Sequence, residues 1–146
     1  MTELGHVVFY VHDLAHSSDF YRQVVGLQQI GTLFGGRAAI FSSGRTHHEL
    51  LLIQMGDAPG PLGGKRLGLY HVGWRVGDSL DTLREHLKRA EEFGSTIDGI
   101  SDHSVSQSLY LRDPDGNEVE LFVDNPDYDW RSDSGWMETP VKPLRL

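Results

Sequence analysis

Residues 5–14, GHVVFYVHDL, and residues 70–80, YHVGWRVGDSL, are two versions of one phrase. His6 lies over His71, Val7 over Val72, Val11 over Val76 and Asp13 over Asp78. Each copy opens as a strand-like run and passes, at its aspartate, into helical spacing. Phe20, Val24 and Val25 share a face before Gly26 in the first copy, and Leu83, Leu87 and Ala90 before Gly94 in the second. A glycine just past the last periodic residue is the left-handed position that closes a helix. Strand then helix therefore occurs twice. A period this long, seen only twice, predicts two halves packing together about a pseudo-twofold axis, not a solenoid.

Residues 27–33, 38–41 and 47–54 read as three more strands, punctuated by Gly35-Gly36 and Ser43-Gly44, which completes a βαβββ unit. Residues 56–68, GDAPGPLGGKRLG, have no hydrophobic period and read as the internal linker. Their GGKR is no phosphate loop, because no Ser or Thr follows the lysine and no strand-to-helix frame surrounds it. In the second half, residues 101–124, SDHSVSQSLYLRDPDGNEVELFVD, read as strand, turn, strand, with turn chemistry at Asp113-Pro114-Asp115-Gly116-Asn117. Val119, Leu121 and Val123 share one face of the last strand, so Glu120 points the other way with Phe122. Either Glu120 faces water as an ordinary exposed strand residue, or a cation or hydrogen-bond donor meets its carboxylate. Laying FSSGRTHHELLL on LRDPDGNEVELF, with Gly44 over Gly116, puts His48 over Glu120. His48 and Glu49 are neighbours in one strand, so only one faces the cavity. The glycine match favours His48, and a one-residue slip hands the place to Glu49.

The balance of charge narrows the partners. A net charge of −8 without a clustered Lys/Arg stripe argues against nucleic acid and anionic membranes, and leaves a small molecule. No cysteine is present, so disulfides and thiolate zinc sites are excluded and any metal must use His, Asp or Glu. No apolar run reaches membrane-spanning length, and MTELGHVVFYVHDL lacks the secretory pattern, which reads as cytoplasmic. Corresponding residues of pseudo-symmetric halves converge if they face the axis, which would gather His6, His71, Glu120 and His48. Two imidazoles and one carboxylate with open positions suit non-haem Fe(II), and Mn(II) also fits. Glu118 reads as an exposed strand residue, and His12, His16, His47 and His86 as surface or satisfied core groups.

On these residues the chain resembles the vicinal oxygen chelate (glyoxalase/bleomycin resistance/extradiol dioxygenase) superfamily, and within it a one-domain extradiol (catechol 2,3-) dioxygenase. The carrying residues are Gly5-His6-Val7, Arg45-Thr46-His47-His48-Glu49-Leu50, Tyr70-His71-Val72, Asp102-His103, Tyr110 and the turn that leads to Glu120. The resemblance implies His6, His71 and Glu120 as metal ligands and His48 as the acid/base residue, with His103 and Tyr110 holding the substrate hydroxyls. It further implies Fe(II), with Mn(II) as the alternative, and a small aromatic diol and O2 as substrates. The implied product is of the 2-hydroxymuconic semialdehyde type and the implied assembly a homodimer. The expected fold is α+β: two tandem βαβββ modules forming one curved mixed-sheet half-barrel around the metal. The expected single domain, 1–146, has module one at about 1–55, the linker at 56–68, module two at about 69–124 and a C-terminal extension at 125–146. That extension holds Tyr128, Trp130, Trp136, Met137 and three prolines, and is expected to pack back on the protein. Two other classes compete: a metal-dependent glyoxalase I-like lyase or epimerase that uses Glu49, and a metal-free drug-binding resistance protein.

Overall fold

The computed structural model describes residues 1–146. Its elements in chain order are β1 (Val7–Val11), α1 (Leu14–Phe20), β2 (Gln28–Leu33), β3 (Ala38–Ser42), β4 (Leu50–Gln54), β5 (His71–Gly77), α2 (Leu80–Phe93), β6 (Ile97–Asp102), β7 (Ser106–Arg112), β8 (Glu118–Asp124) and β9 (Lys142–Pro143). They form two compact units, Met1–Leu62 with Pro114–Gly116, and Gly63–Asp113 with Asn117–Leu146. Each carries the βαβββ order of an α+β fold, as the duplicated phrase predicts. No helix is long and apolar enough to cross a membrane.

In the first unit the sheet order is β1-β4-β3-β2, with β1 parallel to β4 and the other pairs antiparallel. The Asp13 carboxylate starts α1 by accepting the His16 N–H at 3.1 Å, satisfying a donor that the first helical turn leaves unpaired. One turn of π-helix, Tyr21–Val25, follows, and Gly26 at φ 91° ends it with its N–H on the Tyr21 carbonyl. Phe20, Tyr21 and Val24 are fully buried, as are Ala39, Phe41, Leu50 and Leu52 of the β3–β4 pair they pack near. Each large apolar side chain taken from water in this way contributes about 1.5–3 kcal/mol.

The second unit has the order β5-β8-β7-β6-β9, again with the first strand parallel to its neighbour. Ser79 caps α2 through the Thr82 N–H at 3.2 Å, and Gly94 at φ 83° closes it. The buried stripe of α2 is Leu83, His86 and Ala90, with Leu87 only half-buried. On β8, Val119, Leu121 and Val123 are buried, while Glu118, Glu120 and Phe122 take the opposite face. Residues 125–146 do pack back: β9 extends the sheet beyond β6, and the Leu144 backbone N–H donates to the Ile100 carbonyl at 3.2 Å.

Three features differ from the sequence pattern. The strand expected at 47–54 begins at Leu50, which leaves His47 and His48 in the preceding bend. The segment IDGISD forms β6 although its residues do not alternate, because it is held from both sides by β7 and β9. The match of Gly44 with Gly116 also misplaces His48. Leu50 pairs with Val7 and Phe41, whereas Val119 pairs with Val72 and Leu111. Glu49 thus holds the register position of Glu118, and Leu51, not His48, that of Glu120. The turn of module one, residues 42–49, is one residue longer than residues 112–118, and its glycine comes earlier, so glycine on glycine is the wrong anchor.

Candidate functional site

In the second unit the candidate residues meet on one face of the sheet. His71 opens β5 and pairs in register with Glu118 on β8, and Glu120 lies two residues further along the same face. Glu118 Oε2 stands 2.9 Å from His71 Nδ1, and Glu120 Oε2 stands 3.1 Å from His71 Nε2. With the ring donating from Nδ1 to Glu118, Nε2 and the Glu120 oxygen are both acceptors. Two acceptors this close need a shared cation between them. Two donors cis to each other on an octahedral ion, each about 2.1 Å from it, stand about 3 Å apart, so the pair suits a metal as well as a proton.

The far oxygen of Glu120 is held from behind. Ser108 Oγ donates to Oε1 at 2.6 Å and the Tyr110 hydroxyl donates to it at 3.1 Å. Tyr110 has one proton, so the 2.7 Å contact between its oxygen and His103 Nε2 is completed by a hydrogen on the imidazole. A chain His103 to Tyr110 to Glu120 results. Burial, and then the Glu120 charge, push the Tyr110 hydroxyl up to about 12, so it stays a donor at all ordinary pH values. Gly73 sits beside this carboxylate, and a Cβ there would meet Glu120 Oε2 at 3.2 Å and the Phe122 ring at 3.5 Å.

In the first unit His6 lies just before β1, and its ring is 4.5 Å from that of His48, centroid to centroid. Desolvation, followed by the imidazoles of His47 and His6, holds His48 below the usual histidine range, with Glu49 opposing them. A neutral ring is the form that accepts a proton. Glu49, the rival for this place, turns away. It is buried, and accepts from the Ser43 N–H at 2.8 Å and from Ser43 Oγ at 2.7 Å, with Arg45 Nε at 3.6 Å.

The structure therefore brings His71 together with Glu120, Glu120 with Tyr110 and His103, and His6 with His48. No group of three or more His, Cys, Asp or Glu side chains forms a ready-made metal cluster. Two contributors escape the sequence reading. Glu118, expected to be exposed, is only 8% exposed at its side chain and holds His71, and Ser108 is fully buried against Glu120. Period two was the available signal: Glu118 shares the Glu120 face, and Ser108 the Tyr110 face.

Residues 3–121 match the Glyoxalase/Bleomycin resistance protein/Dioxygenase superfamily. The chain is 32% identical over 133 residues to a catechol-2,3-dioxygenase of Bacillus subtilis, a match covering 90% of this chain and 45% of that protein. It is 30% identical to biphenyl-2,3-diol 1,2-dioxygenase 2 of Rhodococcus globerulus, covering 84% of this chain and 63% of the relative. The chain thus spans less than two thirds of the length of these curated relatives. Among solved structures it is similar to a lactoylglutathione lyase from Agrobacterium tumefaciens, with a TM-score of 0.60, 27% identity and coverage of 84% of this chain and 94% of the other. With the two βαβββ modules and a match over most of its length, the chain belongs to the Glyoxalase/Bleomycin resistance protein/Dioxygenase superfamily.

Proposed function

We propose that this chain is an extradiol ring-cleaving dioxygenase acting on a vicinal aromatic diol. The observation that carries the reading is the His71–Glu120 pair, 3.1 Å apart, with Glu118 behind the imidazole and Ser108 and Tyr110 behind the carboxylate. Metal-binding histidines and carboxylates typically have such outer partners, which fix the tautomer and aim the free lone pairs. His6, the counterpart of His71 in the repeated phrase, is the proposed third ligand. Fe(II) is the proposed ion and Mn(II) the alternative. Iron held by such a set would supply Lewis acidity toward the diol and one-electron chemistry toward dioxygen.

The protein's own part is to move and hold protons. His48, kept neutral, takes a proton from a diol hydroxyl and returns it as the ring opens. Tyr110 and His103 offer a donor chain beside the carboxylate, steadying negative charge that develops on oxygen. Diol plus dioxygen contains every atom of the ring-opened product, so no external reductant enters. The names of the two curated relatives, dioxygenases of catechol and of biphenyl-2,3-diol, support this substrate class. The similarity to a lactoylglutathione lyase supports a second reading, a metal-dependent lyase or epimerase with Glu49 as ligand or base. The engagement of Glu49 by Ser43 and Arg45 weighs against it.

The test is oxygen uptake by anaerobically Fe(II)-loaded protein, with catechol and 2,3-dihydroxybiphenyl as substrates. Consumption of one O2 per diol with a yellow product is expected. His48→Ala should lower the rate about 10²- to 10⁴-fold while the bound iron is unchanged. No uptake by the loaded protein, together with turnover of a glutathione hemithioacetal, would overturn the reading in favour of the lyase.

A further inference from the structure

We propose that Arg45 is a positioning residue for His6, doing through the backbone of module one what Glu118 does through the imidazole of module two. The inference rests on the ligand reading above. The two modules hold their corresponding histidines differently. His71 is the first residue of β5, and Glu118, opposite it in register, grips its Nδ1 at 2.9 Å. His6 lies one residue outside β1, where the first ladder bond is the Val7 N–H to the Glu49 carbonyl at 2.9 Å. Residues 1–6 are exposed, so packing does not set this backbone. The carboxylate that its register position provides, that of Glu49, is engaged by the Ser43 turn.

Arg45 fills that gap. Its Nη2 donates to the carbonyls of Leu4 and Gly5, at 3.0 Å each, and its Nη1 donates to Glu3 Oε1 at 3.2 Å. Its Nε lies 3.6 Å from Glu49 Oε1, and Glu49 is itself buried and tied to Ser43. A fixed anion in the turn thus aims a planar fork at the two carbonyls immediately before His6. Only a guanidinium presents donors in that spread. A lysine ammonium is a point charge that cannot span two carbonyls and a carboxylate in the same geometry. The same turn carries His48, whose ring lies 4.5 Å from that of His6, so one local structure sets both imidazoles.

The experiment uses the full chain, with anaerobic Co(II) as a spectroscopic probe, and compares wild type with Arg45→Ala, Arg45→Lys and His6→Ala. Affinity comes from calorimetric titration, ligand geometry from the visible d–d spectrum and fold from thermal unfolding, with binding measured well below every midpoint. His6→Ala should weaken Co(II) and alter its spectrum. Arg45→Ala should weaken Co(II) about tenfold to a hundredfold, the range found when outer partners of metal ligands are removed, and shift the spectrum in the same direction. Arg45→Lys, which keeps the charge, should match wild type in unfolding but not in affinity. If His6→Ala binds Co(II) with wild-type affinity and spectrum, the ligand reading itself fails. If His6→Ala is impaired while Arg45→Ala or Arg45→Lys binds as wild type does, the positioning role of the fork is refuted and the ligand reading stands.

Discussion

Replacing Glu49 by alanine removes the buried carboxylate that closes the turn between β3 and β4. Ser43 donates to it twice, through N–H at 2.8 Å and through Oγ at 2.7 Å. A hydrogen bond to a charged group is worth about 1.5–3 kcal/mol. Ser43 is exposed, so water replaces part of that pair in the variant. The half-exposed Arg45, at 3.6 Å, adds at most about 1 kcal/mol. A net loss of about 2–4 kcal/mol follows, which for a chain of this size lowers the unfolding midpoint by roughly 5–15 °C. The pH dependence carries a second signature. Burial pushes the Glu49 carboxyl up, but the Ser43 hydroxyl and N–H, then Ser42 and Arg45, outweigh it and leave the group below its ordinary value. A carboxyl that is more acidic in the folded chain than in the unfolded one adds stability above its unfolded pKa, about 4.3, and loses it as pH falls through the folded value. Urea unfolding followed by circular dichroism from neutral pH to below 4 should therefore show the gap between wild type and Glu49→Gln closing as pH falls. A Glu49→Ala midpoint equal to wild type, or a gap that widens in acid, would refute the clasp. Unchanged stability combined with metal binding lost in Glu49→Ala but kept in Arg45→Ala would instead make Glu49 a ligand and favour the lyase reading.

Further outcomes follow from the second unit. Glu118→Gln, which keeps the shape but removes the charge that grips His71 Nδ1 at 2.9 Å, should weaken divalent-metal binding about 10- to 100-fold by calorimetry without unfolding the chain. Gly73→Ala places a Cβ 3.2 Å from Glu120 Oε2, and the carboxylate must shift by a few tenths of an ångström. Metal affinity measured by the same titration should fall in Gly73→Ala while circular dichroism remains that of wild type.

Fold class was open to reading because its cues are local. The duplicated phrase at residues 5–14 and 70–80, the helix-closing Gly26 and Gly94, and the alternation of Val119, Leu121 and Val123 each depend on a few consecutive residues. Helix and strand periods act over that same range. His71 and Glu120 were nameable for the same reason: each sits at a definite place in a repeated or alternating pattern.

What the chain's order of residues left undecided lies between elements. Equivalence between the two hairpins was legible only once Leu50 was seen opposite Val7 and Phe41, because ladder bonds and turn length set register, and module one has a longer turn. Period two tells which face Glu118 takes but not that the facing strand presents His71 there, and it says nothing of a surface arginine whose fork reaches Leu4 and Gly5 some forty residues back. The amino-acid sequence by itself determined the repeated modules, their helices and the inward carboxylate. Tertiary structure alone decided that Glu49 closes a turn while Glu118 holds an imidazole, because hydrogen-bond partners distant along the chain are chosen by pairing and not by pattern.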